Sequence, residues 1–96
     1  MNRGLDPKET EHLYRAVLTL KTLEDCEDFF ENLCTIPELK AMAQRVEVAK
    51  MLSDGCVYRD IVEATGASTA TISRVNRELL YGKKGYIHAF ERLSEK

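Results

Sequence analysis

Apolar residues return every three or four positions along nearly the whole chain, and no segment alternates apolar and polar as a half-buried strand would. The pattern predicts helices with readable starts. Asp6-Pro7-Lys8-Glu9 combines a capping aspartate, a proline where the missing N–H does no harm and an acid in the first turn, so a first helix is expected over about 7 to 21. Leu13, Val17 and Leu20, with Tyr14 and Leu18 beside them, give it a wide apolar face. Thr22 with Asp25 three residues on opens a short helix whose buried candidates are Phe29, Phe30 and Leu33. Thr35-Ile36-Pro37-Glu38 repeats the device and starts a longer helix carrying Leu39, Met42, Val46 and Ala49, then Met51 and Leu52, which stops at Asp54-Gly55.

The segment from Tyr58 to Val75 holds a short helix, a glycine corner and a second helix. Ile61, Val62 and Thr65 fall at i, i+1 and i+4 and give the first of these a face that can be buried, with Arg59, Asp60 and Glu63 elsewhere. Gly66 permits the positive φ of a sharp helix end, and Ser68 is a good cap for an immediate restart. In the second helix Ile72, Val75 and Leu79 form an apolar stripe, which leaves Thr69, Ala70 and Ser73 on the opposite face of its early turns. Those side chains are small. A helix entering the DNA major groove brings its first turn against base edges, where short hydroxyls bond to bases and methyls touch thymine. Arg59, Arg74 and Arg77 supply cations for guanine edges or phosphates. A helical hairpin in any small bundle has the same apolar spacing, so the pattern by itself leaves that plainer reading open. A basic turn, Tyr81 to Gly85, then leads to a last helix with Tyr86, Ala89, Phe90 and Leu93 inward. The expectation is an all-α fold of six helices in a single domain, residues 1–96, with the helix-turn-helix at about 57–80.

Composition changes this picture little. At 96 residues and 44% hydrophobic the chain has the size and make-up of one modest domain, and a core this small gains from a partner subunit. Asn2 to Glu11 is mostly polar and no run is long and apolar enough to span a bilayer, so no membrane association is expected and the location expected is cytoplasmic. Cys26, Cys34 and Cys56 are odd in number and unpaired in spacing, reading as small buried or half-buried hydrophobes; His12 and His88 lie far apart, and no metal or cofactor is expected. The formal net charge is −2, but residues 1–34 carry −4 and residues 35–96 carry +2, with Arg74, Arg77, Lys83 and Lys84 close together. Such a local basic patch on an acidic chain predicts strongly salt-sensitive binding that is weak on random DNA.

The stretch from Leu33 to Arg45, continuing through Gly55 to Leu80, resembles the Trp repressor family, and more closely its Trp-repressor-like branch of the YerC type. The likeness covers Arg59, Gly66, Ala70-Thr71-Ile72 and Arg74, with helices on both sides. It implies an intertwined homodimer in which the outer helices form a shared core and two motifs project as reading heads. Two heads about a twofold axis place their second helices in successive major grooves, about 34–36 Å apart, on a palindromic operator. The family's DNA-contacting positions correspond to Arg59, Ser68, Thr69, Ala70, Thr71 and Ser73, and the implied function is sequence-specific transcriptional regulation, repression included.

At the family's effector pocket the chain departs from its relatives. The resemblance places the two arginines that flank the indole at Arg45 and Arg74 and retains a threonine as Thr71. A glycine beside the second arginine is Val75 here, which adds a branched side chain where a ring needs close backbone approach. A serine one turn later is Glu78, whose carboxylate repels that of an incoming amino acid. Tryptophan is therefore not the expected effector. A different small molecule, no ligand at all, and contacts of Arg45 and Arg74 with phosphates or with Glu47 and Glu78 all remain open. Two other classes compete with DNA reading. A small dimeric all-α enzyme of the chorismate-mutase type could nominally use Arg45, Arg74 and Glu78, but no nucleophile–base pair or phosphate loop accompanies them. A protein-interaction adaptor would present large apolar side chains where this helix presents Ser68, Thr69, Ala70 and Ser73.

Overall fold

The computed structural model describes residues 3–95. In chain order the elements are α1 (Pro7–Val17), α2 (Leu23–Leu33), α3 (Ile36–Ser53), α4 (Tyr58–Thr65), α5 (Thr69–Tyr81) and α6 (Gly85–Ser94), with no strand among the described residues. The chain forms two compact units, Met1–Ile36 and Pro37–Lys96.

In the first unit the caps predicted at Asp6 and Thr22 are in place. Asp6 Oδ1 accepts from the N–H of Lys8 at 2.9 Å, with Pro7 at the first helical position. Thr22 Oγ1 accepts from Asp25 N–H at 2.9 Å, and the Asp25 carboxylate accepts from Lys21 N–H at 3.1 Å. α1 stops at Val17, short of the expected end near 21. Its last turn tightens to i→i+3 bonds, Thr19 N–H to Ala16 O and Leu20 N–H to Val17 O, both at 3.1 Å, while the Thr19 hydroxyl also takes Ala16 O at 2.7 Å. A threonine bonding locally in this way competes with continued helix. None of the described residues of this unit is buried; Leu18 and Leu23 are 81% and 79% exposed.

The second unit has a core. Val48 and Ala49 from α3 meet Ile61 from α4, Ala67 from the corner and Ile72 and Val75 from α5, with Met51, Leu52, Cys56, Leu79, Tyr86 and Phe90 packed around them. α3 ends where Gly55 takes φ +87°, and Cys56 N–H reaches back to Met51 O at 3.0 Å, a helix stop that a residue with a Cβ adopts only under strain. Lys50 joins Asp54 at 2.9 Å and lies 5.9 Å from the centre of the Phe90 ring, which stacks on Tyr86. The three cysteines are free and half-buried, as their scatter suggests. Three expectations about inward faces in this unit need correction, as does the one for Leu33 on α2, which is 51% exposed. Val62 is exposed, because neighbouring positions on a helix point about 100° apart and the contact line of α4 runs through Ile61. Val46 is exposed too, and on α6 Ala89 and Leu93 are exposed while Tyr86, Ile87 and Phe90 are half-buried. Val46 is 44% and Leu93 63% exposed.

Candidate nucleic-acid interface

The corner between α4 and α5 is built by short polar bonds around one glycine. Gly66 takes φ +74° and its N–H returns to Val62 O at 2.8 Å, ending α4. The Thr65 hydroxyl donates to Ile61 O at 2.7 Å and accepts from Ala67 N–H at 3.1 Å, so the chain leaves the corner in a fixed direction. Two residues later Ser68 starts α5: its hydroxyl accepts from Thr71 N–H and lies 3.1 Å from the Thr71 hydroxyl. From across the unit the Gln44 side-chain amide donates to Thr65 O at 3.1 Å, meeting one of the carbonyls that α4 leaves without an internal partner.

This frame turns α5 so that Ile72 and Val75 are buried while Thr69, Ala70 and Ser73 are exposed. Neither the Thr69 nor the Ser73 hydroxyl takes a partner among the described residues, whereas Ser68 and Thr71 engage each other and Thr71 is half-buried. Arg59 stands in the first turn of α4 with its side chain 82% exposed, 3.8 Å from the Asp60 carboxylate, a distance at which an exposed pair restrains it weakly. Arg74 and Arg77 are exposed on α5.

The remaining predicted site residues separate. Val75 is only 3% exposed and belongs to the core cluster. Arg45 is half-buried on α3, and among the described residues neither it nor Arg74 has an ion pair, so Glu47 and Glu78 are not their partners within the chain. Glu78 folds its carboxylate toward the helix end: a Cβ placed on Gly82 would lie 2.5 Å from Glu78 Oε1 and 2.7 Å from its main-chain oxygen. Glu78 also lines an open groove of about 420 Å³ with Lys83, Gly85 and Tyr86. Sequence reasoning gave Gln44 and Thr65 no part in the corner, since no spacing rule couples positions 21 residues apart.

Six helices among the described residues, with this exposed, small-residue tip on a braced corner, make a helix-turn-helix protein. The Trp repressor protein family matches residues 8–94. The chain is 52% identical over 88 residues to YerC of Bacillus subtilis, an uncharacterized protein, covering 92% of this chain and 85% of that one. It superposes with a TM-score of 0.88 on a TrpR-like protein from Eubacterium eligens, 56% identical over 91% of this chain and 90% of the other. A Trp repressor candidate from Staphylococcus aureus gives the same TM-score at 42% identity, covering 93% of this chain and 89% of that structure. The chain belongs to the Trp repressor family, in its Trp-repressor-like branch with YerC. It is in general terms a DNA-binding regulator and not an enzyme, which removes the chorismate-mutase alternative. No helix among the described residues is long and apolar enough to cross a membrane.

Proposed function

We propose that two copies of this chain form a cytoplasmic homodimer that reads a palindromic DNA operator with the first turns of α5, and that tryptophan is not its effector. Arg59, Ser68, Thr69, Ala70, Thr71 and Ser73 form the reading surface, with Ser68 acting through the start of the helix and the others facing DNA. The observation that carries this is the division of α5: Ile72 and Val75 buried on one side, Thr69, Ala70 and Ser73 exposed on the other. Small exposed polar and methyl groups suit base edges and offer little to a protein partner.

The homodimer draws support from the first unit, which has apolar side chains on both helices and buries none of its described residues. Two short helices without a core are marginal in water, and a second copy would supply the missing cover. On this reading residues 1–96 make a single domain completed between two chains. Against tryptophan stand Val75, whose branched side chain is packed into the core where the family's ring approaches backbone, and the carboxylate of Glu78. Arg45 and Arg74, free of ion pairs among the described residues, are available to phosphates or to a small anion.

The test is Thr69→Glu and Ala70→Glu. Each should abolish operator binding while dimer mass and helicity stay as in the wild type; a variant that binds as before would take α5 out of the interface.

A further inference from the structure

We infer that Gln44 is a positioning residue for DNA reading: its amide, donating to Thr65 O at 3.1 Å, fixes the roll of the α4–α5 pair on α3. This rests on α5 being the reading helix, as proposed above. The bond spans 21 residues, where those that cap and brace single helices span two to four. Val48 and Ala49 hold the pair close through apolar contact with Ile61, Ile72 and Val75, but such contact has no preferred direction. A hydrogen bond does, and weakens steeply as its angle departs from straight. Thr65 is three residues before the Ser68 cap, and the intervening chain is pinned by Thr65 Oγ1 to Ile61 O, Ala67 N–H to Thr65 Oγ1 and Gly66 N–H to Val62 O. A shift of the Thr65 carbonyl therefore travels to Thr69 with little loss.

The surroundings make this role separable from folding. The bond lies beside an open groove of about 310 Å³ whose lining includes Lys40, Gln44, Glu47, Met51 and Thr65. Water there can take over the Thr65 carbonyl when the amide is removed, so the carbonyl is not left unsatisfied and the core remains intact. What goes is the directional restraint.

The experiment compares wild type with Gln44→Met, of the same length without a donor, and Gln44→Glu, of the same shape with acceptors only. The measured quantity is the ratio of affinities for an operator selected from genomic fragments and for random duplex, across a salt series. Both variants should lower that ratio about fivefold to tenfold, with dimer mass, helicity and salt slope unchanged. Leu52→Val, which thins the packing around the core but touches none of the bonds that pin the corner, should keep the ratio. Wild type that ignores duplex DNA sinks the operator reading itself; wild type that discriminates, alongside Gln44 variants that discriminate equally well, overturns the positioning role alone. The wild-type NMR spectrum gives an arm that needs no variant. A Gln44 side-chain amide group should show scalar coupling across the hydrogen bond to the Thr65 carbonyl; no such coupling overturns the proposal.

Discussion

The hydroxyl of Ser68 accepts the N–H of Thr71 at 3.1 Å, so a residue of the proposed DNA-reading surface is also the cap that starts α5. Ser68→Ala should lower unfolding free energy by about 1 kcal/mol, and Ser68→Gly by only a few tenths, measured by urea denaturation. Operator affinity of the alanine variant should fall on all sequences alike, because the start of α5 frays without any one base contact being singled out.

Leu18 is 81% exposed within the chain, and in the proposed dimer a second copy covers it. Leu18→Glu on a free surface would change stability by no more than about 0.5 kcal/mol. In the proposed dimer it places a carboxylate in shared apolar cover, and sedimentation should show the mass moving from two chains toward one. Unchanged mass and stability would remove Leu18 from the interface.

The helix count and the caps at Asp6, Thr22 and Ser68 were legible because each depends on residues within three or four positions of one another. The corner at Gly66 was legible for the same reason, as was the buried stripe of Ile72 and Val75. Faces were harder. Val46, Val62, Ala89 and Leu93 have helical spacing, but which of several apolar positions is buried depends on what packs there, and among the described residues all four stay exposed. The end of α1 depended on the Thr19 hydroxyl choosing Ala16 O, a local competition that periodicity does not register. Gln44 was invisible as a site residue because its partner is a main-chain oxygen in another helix.

Arg59, with a largely exposed guanidinium and only a long contact to Asp60, is poised for either a base or a phosphate. Arg59→Ala should cost about 1–3 kcal/mol on the cognate operator and relax the preference at one base pair. Binding titrations on operators varied at single positions check this; an equal loss on every sequence would reassign Arg59 to the backbone.

Titrating the protein with tryptophan should give no heat of binding, since Val75 is packed into the core and the Glu78 carboxylate stands over Gly82. Saturable calorimetric binding with a micromolar dissociation constant would show that these two side chains leave the ring and its carboxylate room.

If a symmetric particle reads DNA with two copies of the α5 tip, pull-down of genomic fragments on the purified protein shows it most directly. The enriched fragments should share a twofold-symmetric motif with half-sites about one helical turn, or a whole number of turns, apart. An asymmetric motif, or no enrichment at low ionic strength, would contradict it.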